Sequence, residues 1–322
     1  MPQSLFPGTE FPAIPHCINP GKIYQFYEIN QPIYNLSAMR ISFLLAGSFL
    51  GCLLAGCHTK TTRIFDVHLH GSKDPALQMQ TLHKAGVYKI ALSTSWDLQH
   101  SYRQQPATEM LYGLLFPCPG GKVPYSLQPC FANGAAWPDT GWVEQQINER
   151  QIDFMGEVLS QYYGISPADT LLFPYYRLAD KYSLPVGIHT GGAGPDHGCP
   201  DFSPEMGNPA LLLPVLKQFP RLKIWIMHAG DQYYKEAIAI MQEHRQVYAD
   251  ISVISNPDIV PADRFSLIMQ AFMDAGLEEQ LLFGSDNGDI EKAIRAIDTL
   301  DFIPSAIKEK IYYQNAERFF RR

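Results

Sequence analysis

Six polar residues stand at the ends of apolar runs, and their types suit a divalent metal centre. His68 and His70 close the run Ile64-Phe65-Asp66-Val67-His68-Leu69-His70. Residues two apart in an extended strand share a side, so the two imidazoles project together while Leu69 faces the other way. His189 ends Val186-Gly187-Ile188-His189, His228 ends Ile224-Trp225-Ile226-Met227-His228, and Asp286 ends Leu281-Leu282-Phe283-Gly284-Ser285-Asp286. Glu157 lies near the end of Phe154-Met155-Gly156-Glu157-Val158. Imidazoles and carboxylates are ligands of zinc and of similar divalent metals. A lone His-x-His reads equally well as two polar residues at a strand end. A buried cluster of imidazoles and carboxylates is costly unless something binds it, and a divalent cation does so directly.

The elements that must bring these residues together alternate between strand-like and helix-like patterns. Strand-like runs cover 64–70, 88–95, 127–132, 152–158, 184–190, 223–228, 247–253 and 281–286. Helical patterns between them include 75–85, 140–150, 167–182, 209–218, 232–244 and 261–275, with Ser166 as a cap and Pro167 in the first turn of the third. Eight strands with intervening helices in about 260 residues predict an α/β, single-domain (β/α)8 TIM barrel over 63–322. An open doubly wound sheet is the other arrangement, but no Gly-rich phosphate loop follows an early strand. In a barrel the C-terminal strand ends converge on one face, which is where all six residues fall. The longest break in the rhythm, 97–124, follows the second strand and reads as a loop shaping substrate access.

The series His68-Leu69-His70, His189-Thr190-Gly191, His228-Ala229-Gly230 and Phe283-Gly284-Ser285-Asp286 resembles the amidohydrolase superfamily, most closely its amidohydrolase-related branch. Tyr248-Ala249-Asp250-Ile251-Ser252 and Asn315-Ala316-Glu317-Arg318-Phe319-Phe320 fit the same resemblance. It implies that His68, His70 and Asp286 hold one metal and that His189 is a further ligand. His228 would bind a second metal or polarise the substrate carbonyl. Glu157 would bridge two ions or orient a histidine. The implied cofactor is one or two divalent ions, zinc first. The implied reaction is hydrolysis of an amide, ester, lactone or similar C–N or C–O bond in a small molecule. Asp286 would serve as general base and then acid, with His228 as the second catalytic group.

The same branch contains metal-dependent decarboxylases of aromatic acids. That reading needs a carboxylate anchor, for which Arg103 is the candidate. A TatD-like metal nuclease shares much of the ligand series. The formal net charge of −7, from 25 Lys and Arg against 32 Asp and Glu, argues against a nucleic-acid partner. A binding protein that has lost catalysis is the non-enzyme option, against which the intact ligand set stands. His197, in the Gly-rich stretch after His189, lies in a loop near the site and reads as a surface-loop residue, with contact to substrate as the other reading. His83, His100 and His244 read as surface residues as well. Trp96, Tyr102 and Trp137 could line a pocket or simply pack, and the role of Asp250 stays open.

Upstream of the barrel, Met39-Arg40 precedes an apolar run that ends Leu54-Ala55-Gly56-Cys57. A run of about 15 residues suits a signal-peptide core rather than a spanning helix. Its ending resembles a bacterial lipoprotein box. The expectation is a signal over 39–56, a lipidated Cys57, and a linker over 57–62. The protein would then be tethered to a membrane on the extracytoplasmic side, with the metal site facing away from it. Residues 1–38 show no assignable fold, and on this reading translation starts at Met39. Export would permit a bridge between Cys118 and Cys130, although Cys199 is a third thiol and sequence alone does not pair them.

Overall fold

The computed structural model describes residues 63–321 apart from 106, 107 and 193; the expected signal, Cys57 and linker lie outside the described residues. Within them, eight strands form one parallel sheet in the order β1 to β8. They are Ile64–His70, Val87–Thr94, Glu109–Phe116, Phe154–Val158, Val186–Ile188, Ile224–Ile226, Val247–Asp250 and Leu281–Leu282. Two backbone hydrogen bonds join the first strand to the segment after the eighth. Val67 N donates to Phe283 O at 3.0 Å and Asp286 N to His68 O at 2.7 Å. The side chain of Asp66 adds to this seam, its Oδ1 accepting from His68 N at 3.1 Å and Ser285 N at 3.0 Å. The fold is a (β/α)8 TIM barrel, as expected.

The helices are α1 Pro75–Lys84, α2 Trp96–Arg103, α3 Thr140–Asn148, α4 Phe173–Tyr182, α5 Leu213–Gln218, α6 Tyr234–Glu243, α7 Ala262–Asp274 and α8 Ile290–Asp298. Two more, α9 Ser305–Glu309 and α10 Asn315–Phe319, flank a π turn at Lys310–Gln314. Asp74, Asp139 and Asp289 cap α1, α3 and α8 by accepting a backbone N–H two or three residues into the helix.

Three expectations are corrected. The third strand is Glu109–Phe116, not 127–132. Pro129 has no N–H for a ladder, and Leu127 is exposed with a left-handed φ of 58°. Inside the true strand, Gly113 leaves room for Phe154, whose ring would come within 2.2 Å of an added Cβ. Consequently the stretch 97–124 is not one loop, because it contains most of α2 and all of β3. Finally, α4 starts at Phe173 rather than at Pro167. Ser166 Oγ accepts from Ala168 N at 3.1 Å, which closes a local turn instead of a helix cap.

The lower barrel interior is filled by Phe65, Val67, Phe154, Trp225, Met227 and Leu282, with Phe319 and Phe320 at the C-terminal end of the chain packed into the same cluster. Ring centroids of Trp225, Phe154 and Phe320 lie 5.3–5.9 Å apart. Each buried ring contributes about 1.5–3 kcal/mol. This aromatic plug leaves the opposite, C-terminal end of the barrel for polar side chains.

Two β-bulges change which residues point inward. Asp66 pairs with Ile90 but Leu69 with Leu92, so between these pairs β1 carries one residue more than β2. Phe65 and Val67 can therefore fill the plug while His68 and His70 line the upper interior. The same happens in β4, where Met155 pairs with Val186 but Val158 with Ile188. Phe154 belongs to the plug, and Glu157 three residues later still reaches the site.

Candidate metal centre

The four histidines converge through their Nε2 atoms around Glu157. Its Oε1 lies 3.8 Å from His68 Nε2, 3.9 Å from His189 Nε2 and 3.9 Å from His228 Nε2. Its Oε2 lies 3.4 Å from His70 Nε2. Asp286 Oδ1 completes the group, 3.0 Å from His70 Nε2 and 3.7 Å from His68 Nε2. All six residues expected from the sequence are thus brought to one place. Five are buried, and Asp286 is the one open to solvent, with 23% of its side chain exposed.

Every Nδ1 is engaged by an acceptor, which fixes the tautomer. His70 Nδ1 donates to Ser93 O at 2.8 Å. His189 Nδ1 donates to Gln161 Oε1 at 2.8 Å, and the Gln161 amide is itself oriented because its Nε2 donates to Gly191 O at 2.9 Å. His68 Nδ1 donates to Asp250 Oδ2 at 3.0 Å. His228 Nδ1 donates to Ser252 Oγ at 2.9 Å, and the Ser252 hydroxyl donates onward to Asp250 Oδ1 at 2.5 Å. A proton held on Nδ1 leaves a lone pair on Nε2, the form in which imidazole binds a metal.

Asp250 has a clear position. Oδ1 accepts from His228 N and from Ser252 N and Oγ, and Oδ2 accepts from His68 Nδ1 and from Trp225 Nε1 at 3.2 Å. It couples the aromatic plug to two of the site histidines. Gly284 is required beside it, since an added Cβ would lie 2.7 Å from His68 Cβ and 3.2 Å from Ser252 Cβ. Thr190 Oγ1 donates to Met227 O at 2.5 Å and ties the end of β5 to that of β6.

The residues fit a divalent cation on two observations. His68 Nε2 is buried with no hydrogen-bond partner. Moreover, Glu157, Asp250 and Asp286 have no Lys or Arg partner among the described ion pairs; their cationic neighbours are imidazoles alone. Carboxylates so deeply buried need compensating positive charge. His68, Glu157 and His228 form one group of donor atoms close enough to share an ion, and His68, His70 and Asp286 form another.

Without a cation, protons take up part of that role. Burial opposes charge on His68, but the carboxylates of Asp250, Asp286 and Glu157 overcome it and raise its pKa to about 10. His70 shifts upward as well, against burial, through Asp286 and Glu157. Burial lowers His189 and His228 to about 4, and His68 adds to the effect on His228. Burial also works against ionised Asp286, yet His68, His70 and His228 hold it below the ordinary carboxylate range. It is an ionised base facing solvent.

Other candidates lie elsewhere. Arg103 donates to Gln151 O at 2.8 Å and stacks on Tyr112, at the N-terminal side of β4, so it is no anchor for a substrate carboxylate at the opposite end. Trp96 packs on Trp142, Trp137 on Phe116 and Tyr175, and Tyr102 is buried with its hydroxyl bonded to Ser72 N at 2.7 Å. His83 and His100 are exposed. His197 is half-buried, its ring 6.1 Å from that of Tyr125 and 5.8 Å from that of Tyr162. Sequence reasoning missed Gln161, the acceptor for His189, and Tyr125, whose hydroxyl lies 2.9 Å from His70 Nδ1 and 3.3 Å from Glu157 Oε2. The only signal for Tyr125 was its place between Cys118 and Cys130, which form a disulfide with Cα atoms 6.4 Å apart.

A TIM barrel whose strand ends gather four imidazoles and two carboxylates belongs to a class built around metal centres at the C-terminal face. Residues 133–322, more than half of the chain, match the profile of the amidohydrolase family. The chain belongs to that family, whose wider superfamily is metal-dependent. No curated protein matches the chain. Among solved structures, an uncharacterised TIM-barrel protein from Bordetella bronchiseptica is similar with a TM-score of 0.58 and 17% identity, covering 80% of this chain and 98% of its own. A probable 2-pyrone-4,6-dicarboxylic acid hydrolase from Acinetobacter baumannii follows at 0.54 and 14%, covering 80% and 99%. A 2,6-dihydroxybenzoate decarboxylase from Rhizobium stands at 0.53 and 12%, covering 80% and 98%. At these identities the likeness shows the shared fold.

Proposed function

We propose that the protein is a metal-dependent hydrolase that cleaves an amide, ester, lactone or similar C–N or C–O bond of a small molecule. The observation that carries this reading is the partly exposed carboxylate of Asp286 beside four inward-facing Nε2 atoms. His68, His70, His189, His228, Glu157 and Asp286 would hold one or two divalent ions, zinc first. A cation bound there would lower the pKa of water towards about 7 and would polarise a carbonyl oxygen. Asp286 accepts the proton of the attacking water and returns it to the departing nitrogen or oxygen. Its partial exposure gives it access to water and to the leaving group. Asp250 and Ser252 hold His68 and His228 in the tautomer that faces the site. With its proton on Nδ1, His228 offers a lone pair on Nε2, so its part would be that of an ion ligand rather than of a donor to the carbonyl oxygen. Decarboxylation is less well supported, because Arg103 is at the wrong end of the barrel.

The test is a screen of amides, esters, lactones and aromatic acids with the zinc-loaded protein, followed by Asp286→Asn. Loss of turnover by at least 100-fold with an unchanged unfolding temperature supports the assignment. Retained hydrolysis, or release of CO2 in place of hydrolysis, contradicts it.

An extracytoplasmic location, tethered through a lipid on Cys57, is part of the proposal. The disulfide between Cys118 and Cys130 supports it, since such bonds persist in oxidising compartments. Five residues separate Cys57 from Arg63, a chain length of at most about 18 Å, and the first residue of β1, Ile64, is at the strand end opposite the candidate metal centre.

A further inference from the structure

The segment between β3 and α3 is closed on itself by the disulfide and by its own backbone. Val123 N donates to Gln128 O, Leu127 N to Val123 O, and Cys130 N to Gly121 O, all within 3.0 Å. Trp96 N donates to Cys130 O at 2.9 Å and fixes the segment against the start of α2. Tyr125 is carried in this closed loop. Its ring centroid lies 4.5 Å from that of His70, and its hydroxyl reaches both His70 Nδ1 and Glu157 Oε2.

Neither contact is needed to orient the histidine. His70 Nδ1 already has Ser93 O at 2.8 Å, the shorter of its two contacts. The phenol is thus a hydrogen-bond donor held inside the site by the disulfide-closed loop. A phenol is a hydrogen-bond donor at neutral pH. The hydroxyl hydrogen turns about the C–O bond, and the donor can leave Glu157 Oε2 for a substrate oxygen without moving the ring.

We propose that Tyr125 is a catalytic residue whose hydroxyl donates a hydrogen bond to the carbonyl oxygen of the substrate as water adds to the carbonyl carbon. The proposal rests on the hydrolase reading above. When the new C–O bond forms, the π electrons of the carbonyl move onto its oxygen, and Tyr125 stabilises that negative charge while retaining its own proton. When the adduct collapses, the C–N or C–O bond breaks and the leaving group takes the proton held by Asp286. A buried donor to a developing oxyanion is worth about 100- to 1,000-fold in kcat.

The experiment compares zinc-loaded wild-type protein with Tyr125→Phe by calorimetric titration of methylphosphonate, a tetrahedral anionic mimic of the adduct. The expected result is binding at least 10-fold weaker in the variant, with zinc content and unfolding temperature unchanged. On any substrate found, kcat should fall while KM moves by less than threefold. Equal methylphosphonate affinity overturns the proposal, as does loss of zinc from the variant, which would make Tyr125 a part of the ligand scaffold. Absence of methylphosphonate binding to the wild type overturns it too. If the wild type hydrolyses nothing in the screen, the hydrolase reading fails, and the methylphosphonate comparison still decides whether Tyr125 meets an anionic ligand.

Discussion

Replacing Asp250 by asparagine tests how the centre is held from behind. The carboxylate accepts five donors, three on Oδ1 and two on Oδ2. An amide keeps one oxygen, and the orientation that loses least leaves it facing His228 N, Ser252 N and Ser252 Oγ. The new NH2 group then opposes His68 Nδ1–H and Trp225 Nε1–H. His68 relieves the clash by moving its proton to Nε2, which removes the lone pair that faces Glu157. Loss of such a supporting carboxylate lowers metal affinity about 10- to 100-fold. Trp225 Nε1–H, now buried without an acceptor, costs about 1–3 kcal/mol of stability. Competition against a fluorescent zinc chelator measures the first effect and thermal unfolding of the metal-free protein the second. Zinc affinity within twofold of wild type would refute the reasoning, because it would show that the His68 tautomer does not depend on Asp250.

Two further outcomes follow from the same geometry. Gly284→Ala places a methyl group 2.7 Å from His68 Cβ, so the variant should be destabilised by about 1–3 kcal/mol and should bind zinc more weakly, as read by thermal unfolding and chelator competition. The metal-free protein should be most stable near pH 6.5. His68 is raised to about 10, so its contribution is full below 6.5 and is lost as pH rises towards 10. His189 and His228 are lowered to about 4, so theirs is present above 6.5 and is lost as pH falls towards 4. Saturating zinc, which competes with the proton on His68, should move the maximum to higher pH; differential scanning fluorimetry from pH 4 to 10 reads both curves.

The ligand series and the barrel were legible because each ligand candidate follows an apolar run, and because strand alternation correctly sends Leu69 away from His68 and His70. Alternation fails where a bulge intervenes. It would place Phe154 and Glu157 on opposite faces, yet both point inward, one to the plug and one to the site. The third strand was obscured because Gly113 interrupts its apolar run for the sake of Phe154, a residue 41 positions away. Tyr125 and Gln161 sit in loops, where side-chain direction follows from closure by the disulfide and from contacts distant in sequence. Asp250 showed its inward position in the sequence, but its five donors come from four separate residues and only the folded barrel assembles them.

The most direct test of the metal centre is elemental analysis of the protein purified from zinc-supplemented medium, beside His68→Ala. His68 is common to both groups of donor atoms able to share an ion. The expected result is at least one zinc per chain in the wild type, removed by a chelator with a fall in unfolding temperature, and under one tenth of that content in the variant. A wild-type protein without metal, or a variant that retains it fully, would contradict a divalent cation held among the four imidazoles, Glu157 and Asp286.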